Sequence, residues 1–150
     1  MKRRLVAGFF LVVYSVILIK LMVFKNVFLK LGHFRLRLGP EGTGQANFVP
    51  FKTILAYLQG SHGWAIAGTN LVGNIALLAP IGFLVPFIYS KITWQESLAL
   101  AIATPLVIEG MQVIFRLGIF DIDDVILNAL GVMIGYWVFI LLSKGVLKKN

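Results

Sequence analysis

Hydrophobic residues are concentrated in four long runs, and polar residues lie mostly between them. The runs extend over about Leu5–Phe24, Leu71–Tyr89, Leu98–Phe115 and Val125–Leu142. Each run approaches the roughly 20 apolar residues that an α-helix needs to cross the hydrocarbon core of a bilayer. The pattern therefore predicts an all-α membrane protein, a bundle of four transmembrane helices that forms a single domain over residues 1–150.

Composition supports a membrane protein and excludes some chemistry. Hydrophobic residues make up 59% of the chain, whereas soluble domains have roughly 45–50%. The chain has no cysteine, which excludes disulfides, thiol catalysis and thiolate metal sites. The first apolar run is longer than the roughly 7–15 residues of a signal-peptide core, so we expect it to be retained as a membrane span.

The net charge of +8 comes from bases that flank the apolar runs. This arrangement favours anionic lipid headgroups and membrane topology over nucleic acid as the explanation. If both termini are cytoplasmic, the two terminal clusters and Lys91 place seven of the 14 Lys and Arg residues inside; six lie outside, and Lys20 lies within the first run. The terminal clusters favour a multi-pass protein of the cell membrane with both termini cytoplasmic.

This topology makes Lys25–Asn70 a long first extracytoplasmic segment. Partial alternation in Phe28–Leu38 predicts a strand or an interfacial segment, and Gly39–Gly44 is typical of a loop. Phe51–Leu58 predicts a short helix lying on the membrane, with Trp64 nearby as an interfacial anchor.

Prolines and glycines inside the runs predict how the helices pack. Pro80, Pro86 and Pro105 interrupt the second and third runs, so these helices are either bent for packing or kinked around a cavity. Gly131 and Gly135 permit close helix approach. That approach would occur within the bundle or between the two subunits of a homodimer.

Polar residues of all four predicted spans meet at the outer end of the bundle in this topology. Glu109, Gln112 and Arg116 follow at steps of three and four, which predicts one helical stripe on the third span. The other members are Lys20, Asn70, Asn74, Asp123, Asp124 and Asn128. A carboxylate at membrane depth costs on the order of 2.5–3.5 kcal/mol on insertion scales. We therefore expect a functional site around Glu109.

Structural roles are an alternative for each member of this cluster. Asp121 or Asp123 would cap the fourth helix. Asn70 and Asn74 would form interhelical hydrogen bonds. Glu109 would belong to a buried ion pair, with Lys20 or Arg116 as its partner. Either cation would otherwise extend to the lipid headgroups.

Chemical roles are equally open from the residues alone. Glu109 and Asp124 are candidate catalytic residues, as an acid and base pair. The run Asp121–Asp124 is a weak signal for a divalent cation, and Arg116 could bind an anionic group. His33 and His62 lack metal-ligand spacing, and no nucleophile or phosphate-loop motif is present. We therefore predict no metal and no cofactor, and leave open whether the protein is an enzyme.

Five short motifs in order resemble the VanZ-like family over about Asn47 to Leu142. The motifs are Asn47-Phe-Val-Pro-Phe51, Asn70-Leu-Val-Gly-Asn74, Pro80-Ile-Gly82, Ile108-Glu-Gly-Met-Gln112 and Phe120-Asp-Ile-Asp-Asp124. The resemblance implies a small four-span membrane protein in a family whose namesake is associated with low-level resistance to teicoplanin, a lipoglycopeptide. Phe48 and Ala79 depart from the usual family residues.

The cluster and the resemblance together define the candidate site. Its predicted ligand-binding residues are Asn47, Asn70, Asn74, Gln112, Arg116, Asp121, Asp123 and Asn128. We expect a binder at the outer leaflet, because no recognisable nucleophile arrangement is present. Its partners would be membrane lipids and a lipid-linked cell-wall precursor or lipoglycopeptide. The alternatives are an intramembrane enzyme acting on a lipid-anchored substrate and a proton-coupled transporter that uses Glu109.

Overall fold

A computed structural model of the protein describes residues 2–23, 45–60 and 63–147. These ranges contain five helices and no strand: α1 (Lys2–Met22), α2 (Lys52–Leu58), α3 (Trp64–Ile88), α4 (Trp94–Ile114) and α5 (Ile122–Leu147). Four helices are long and apolar enough to cross a membrane, over Arg4–Met22, Trp64–Ile88, Trp94–Ile114 and Ile122–Ser143. The predicted all-α bundle of a multi-pass membrane protein is confirmed.

The helix boundaries differ most at the start of α3, which begins at Trp64 rather than Leu71. Polar residues directly before the predicted run, Thr69 and Asn70, find hydrogen-bond partners inside the helix. Thr69 Oγ1 and Asn70 Nδ2 each donate to a backbone carbonyl one turn earlier. The predicted short helix at Phe51–Leu58 is confirmed as α2. The segments Phe28–Leu38 and Gly39–Gly44, with His33 and His62, lie outside the described residues.

Helices α3 and α5 form the most extensive interface of the bundle. A Cβ atom on Gly131 would collide with the backbone carbonyl of Ile75, and one on Gly135 would collide with that of Ala79. Gly82 of α3 approaches the backbone of α5 in the same way. The glycine pair of α5 therefore packs against α3 within the chain. A homodimer formed through Gly131 and Gly135 stays a prediction, and it would require α3 to move away from these glycines.

The spans alternate in direction, which brings four helix ends to one end of the bundle. Gln112 Nε2, near the end of α4, donates to the Met22 carbonyl at the end of α1 over 3.0 Å. At the opposite end, Arg4 of α1 donates to Ser90 in the α3–α4 loop over 3.1 Å. Between these ends lies an apolar core that includes Leu18, Leu78, Ile108 and Val132. The starts of α3 and α5 lie at the same end of the bundle as Gln112 and Met22, and this end carries the candidate site.

The prolines predicted to interrupt the spans lie inside continuous helices. Pro80 and Pro86 are within α3, and Pro105 is within α4. Pro86 and Pro105 are fully buried. The burial of these prolines fits helices that bend in order to pack against each other. The alternative, a kink that opens a cavity, stays a prediction.

Replacing Gly135 with Ala should destabilise the protein by about 1–3 kcal/mol, because the new methyl group overpacks the α3–α5 contact. Gly73→Ala is the matched control, since a Cβ there has no neighbour within 4 Å and Ala favours a helix over Gly. Thermal unfolding in detergent micelles measures both variants. Equal unfolding midpoints for the two variants would show that α3 and α5 do not approach each other as closely as the Gly135–Ala79 contact requires.

Candidate functional site

The segment of residues 45–60, which we call the anchored segment, is attached to the start of α5. Asn47 forms an isolated parallel bridge with Asp121, in which its N–H donates to Phe120 over 2.8 Å and its carbonyl accepts from Ile122 over 2.9 Å. The Asn47 side chain also donates to Asp121 Oδ1 over 2.9 Å. Thr53 Oγ1 donates to Asp121 Oδ2 over 2.7 Å. Backbone and side chains together therefore fix the position of the segment.

Asp123 caps α2 from a distant part of the chain. Its Oδ1 accepts from Phe51 N over 2.5 Å, and its Oδ2 accepts from Thr53 N over 2.6 Å and Ile54 N over 3.1 Å. The side chain is 0% exposed. A helix as short as α2 is marginal by itself, and a carboxylate at its N-terminus satisfies free N–H groups and complements the helix dipole. Asp123 therefore stabilises α2 and positions it against α5.

The other aspartates of α5 have separate partners. Asp121 Oδ1 accepts from Asp123 N over 2.9 Å, which confirms that an aspartate caps this helix. Asp124 Oδ1 accepts from Asn74 Nδ2 over 2.7 Å, which confirms the predicted interhelical bond of Asn74. The same prediction is wrong for Asn70, whose amide donates to the Ile66 carbonyl of its own helix, because the side chain reaches back one turn instead of across to another helix.

Glu109 and Gln112 are buried on α4 and contact other elements. Glu109 is 1% exposed, and its Oε2 accepts from Asp121 N over 3.1 Å. Gln112 is 5% exposed and contacts the end of α1 through the Met22 carbonyl. Lys20 is exposed on α1, and its predicted pairing with Glu109 stays a prediction. The buried carboxylate of α4 therefore contributes to holding the start of α5.

Arg116 is not on the stripe predicted with Glu109 and Gln112, because α4 ends at Ile114. Its N–H donates to Val113 over 3.0 Å, and the following N–H, of Leu117, donates to Gln112 over 2.8 Å. This is a Schellman ending with Arg116 in the left-handed conformation, at a φ of 54°. A non-glycine residue there costs about 1–2 kcal/mol. The side chain is exposed beside the buried cluster.

Thr53 and Tyr57 are two members of the site that the sequence analysis missed. They are four residues apart on α2 and therefore share one face, which faces the acidic start of α5. Tyr57 is buried. Burial raises the pKa of its phenol, and the negative charges of Asp124 and Asp121 raise that pKa further. The four-residue spacing of two hydroxyl side chains on the predicted short helix was the available signal.

Asn128 lies one turn beyond Asp124 on α5. The side chain is 0% exposed. Neither its Nδ2 nor its Oδ1 has a hydrogen-bond partner within the described part of the chain. Buried amides are almost always paired, so this one requires an explanation.

The predicted site residues fall into two groups. A buried or half-buried cluster contains Asn47, Asn74, Glu109, Gln112, Asp121, Asp123, Asp124 and Asn128. Asn70 and Arg116 lie outside it. Residues 2–23, 45–60 and 63–147 contain no group of three or more His, Cys, Asp or Glu side chains that could hold a metal, because the aspartate oxygens face different N–H and O–H donors. The ligand-binding and catalytic roles stay predictions.

Replacing Asp123 with Ala should release α2, since three backbone N–H groups lose a buried charged acceptor. The expected loss of stability is about 3 kcal/mol or more, from bonds to a charged group worth roughly 1.5–3 kcal/mol each. Amide hydrogen exchange over residues 51–58 should accelerate. Glu96→Ala is the control, because it removes a cap at the far end of the bundle, where Glu96 and Thr93 form a capping box. Unchanged protection of α2 in Asp123→Ala would contradict trans-capping.

The raised pKa of Tyr57 predicts a loss of stability above pH 10. Below that pH the phenol is protonated in both the folded and unfolded states, so it adds no pH dependence. Above it, the unfolded state loses the proton first, and stability falls until the folded pKa is passed. The difference in unfolding midpoint between wild type and Tyr57→Phe, followed from pH 8 upward, isolates this contribution. A constant difference across that range would show that the phenol titrates normally.

The VanZ/LLP1 family model matches residues 7–143, nearly the whole chain. No curated protein and no solved structure matches this chain. The match includes most of the first candidate span, all of the other three and the acidic start of α5, so the chain belongs to the VanZ/LLP1 family.

Proposed function

We propose that this VanZ/LLP1 protein acts at the outer leaflet of the cell membrane, with both termini in the cytoplasm. There it binds a lipid-linked ligand and lowers susceptibility to lipoglycopeptides such as teicoplanin. The observation that carries the proposal is the orientation of α2, which directs Thr53 and Tyr57 into the protein and Leu55 and Leu58 outward.

Leu55 and Leu58 on the outward side of α2 are 52% and 54% exposed, and Phe51, immediately before the helix, is 54% exposed. The spacing of three residues places the two leucines on one stripe of the helix. Thr53 and Tyr57 occupy the other face, against the aspartates. A surface helix in water has the reverse arrangement, with its apolar stripe on the core. The inverted arrangement supports contact with acyl chains at the membrane boundary.

Neighbouring residues extend this surface. Phe48 and Val49 precede α2, Trp64 begins α3, and these side chains are 70%, 60% and 72% exposed. Lys52 of α2 and Arg116 of the α4–α5 loop are exposed cations at the same end of the bundle. An apolar surface beside cations suits an amphiphile with a hydrocarbon tail and an anionic head. A lipid-linked cell-wall precursor has this chemistry, and a lipoglycopeptide has a hydrocarbon tail as its acyl chain.

The positions of the two carboxylates favour binding over catalysis. Glu109 is 1% exposed and accepts from a backbone N–H. Asp124 accepts from Asn74. A catalytic acid or base has to reach the proton that it transfers, whereas these oxygens face groups of the protein. The resistance assay described next also tests the enzyme and transporter alternatives.

Teicoplanin susceptibility of a sensitive Gram-positive host tests the proposal. We expect wild type to raise the inhibitory concentration and Leu55→Asn to return it towards the empty-vector value, since loss of one buried leucine contact, about 1.5–3 kcal/mol, weakens binding at least tenfold. Leu141→Asn is the matched control, because Leu141 is 69% exposed near the opposite end of α5. Immunoblots of membranes equalise abundance. Equal protection by Leu55→Asn and wild type would refute the α2 surface as the binding site.

The variants Glu109→Gln and Asp124→Asn separate the mechanisms in that assay. Each keeps an oxygen acceptor for its present donor and removes the negative charge. A binder should keep most of its protection in both variants. Loss of protection at equal abundance in either variant would favour acid–base chemistry or proton transfer instead.

A further inference from the structure

The end of the bundle opposite the candidate site carries cations that no ion pair neutralises among the described residues. Arg4 of α1 donates to Ser90 Oγ over 3.1 Å, and Lys91 directly follows Ser90 in the α3–α4 loop. Arg4 and Lys91 are both exposed. Apart from the Arg4–Ser90 bond, neither side chain has a hydrogen-bond or ion-pair partner within the described part of the chain. This bond therefore holds one cation against the loop residue that adjoins the other.

The charge balance of this end is positive. Lys2 is a third exposed cation, at the start of α1. Glu96 supplies the carboxylate of this end among the described side chains, and its Oε2 accepts from the Thr93 N–H over 2.7 Å and from the Thr93 hydroxyl over 3.0 Å. This carboxylate therefore belongs to the capping box of α4 rather than to an ion pair. The excess positive charge attracts anions to this end of the bundle.

The same cations lie at a membrane boundary. Arg4 begins the first candidate span, and the α3–α4 loop connects the next two. Tyr89 and Trp94, at the two ends of that loop, are 53% and 52% exposed. Exposed Tyr and Trp side chains are typical of the depth at which lipid headgroups lie. The cations are therefore placed to meet the phosphate groups of membrane lipids.

We propose that Arg4 and Lys91 bind the headgroup phosphate of an anionic phospholipid, and that Ser90 holds Arg4 in position. A guanidinium has several N–H donors, so its bond to Ser90 leaves others for phosphate oxygens. A zwitterionic headgroup carries a cation of its own, which two neighbouring cations repel. The site therefore selects lipids by the net charge of the headgroup.

This lipid site is separate from the α2 surface in position and in ligand. It lies at the other end of the bundle, and it requires neither a lipid-linked precursor nor a lipoglycopeptide. It also applies to whichever leaflet contains the Arg4 end of the protein. Measurements of lipid preference on the purified protein therefore succeed or fail independently of the resistance assay.

Fluorescence quenching of Trp94 by brominated lipids measures which lipid lies beside this end. The chain has three tryptophans, so Trp64→Phe with Trp137→Phe leaves Trp94 as the single reporter. The protein is reconstituted in mixtures of phosphatidylcholine and phosphatidylglycerol, with the bromine on one lipid and then on the other. We expect phosphatidylglycerol to be preferred by about fivefold for each cation, which corresponds to ~1 kcal/mol per Lys or Arg near an anionic surface. Equal quenching by the two lipids at equal mole fractions would overturn the proposal.

Charge-matched double variants locate the preference. Arg4→Gln with Lys91→Gln should abolish it. Lys52→Gln with Arg116→Gln is the control, because it removes the same charge from exposed side chains at the other end of the bundle, and it should leave the preference unchanged. An equal decrease in both double variants would indicate a diffuse effect of net charge and would rule out a localised site.

Ser90→Ala separates headgroup binding from a purely structural role of Arg4. This variant removes the hydrogen bond between α1 and the loop and keeps both cations, so the preference should fall by less than in Arg4→Gln. If Arg4 only attached α1 to the loop, the two variants would lower the preference equally, and that result would contradict the proposal. Thermal unfolding in the same lipid mixtures establishes that each variant is folded.

Discussion

The buried carboxylate of Asp123 connects the first turn of α5 to three backbone N–H groups around the start of α2. The acceptor and its donors are about 70 residues apart in the chain, as the separation of 72 residues between Phe51 and Asp123 illustrates. Charge-assisted bonds of this kind strengthen where water is excluded. The same carboxylate would be expensive to bury if those donors were absent. Segment and helix start therefore stabilise each other.

The glycine contacts between α3 and α5 set the depth at which this polar end lies. Because the two backbones touch at Gly131 and Gly135, the helices have little freedom to slide along each other. That register holds Asn74 opposite Asp124. Interior packing does not deform continuously, so apolar packing in the middle of the bundle determines the hydrogen-bond geometry at its end. This packing therefore helps to hold the carboxylates of α4 and α5 against their hydrogen-bond donors.

The sequence predicted the four spans well because membrane helices require long apolar runs, and it found Glu109 because a carboxylate in such a run is unusual. The sequence analysis missed that Asp123 caps α2, because these hydrogen bonds join residues that are far apart in the chain and that no local pattern relates. It also placed Arg116 in the third span. Helix ends of this type usually carry glycine in the left-handed position, and here the position is occupied by arginine, so the usual stop signal is absent. Long-range contacts and an atypical helix end account for these differences.

The inverted orientation of α2 follows from its capping. Asp123 binds the N-terminal N–H groups of α2, while Thr53 binds Asp121 on the same side, so the helix cannot rotate about its axis without breaking bonds to both aspartates. With Thr53 and Tyr57 directed inward, Leu55 and Leu58 must be directed outward. The exposed apolar surface is therefore a consequence of buried charge. The position of this exposed surface therefore depends on the acidic cluster, through one short helix.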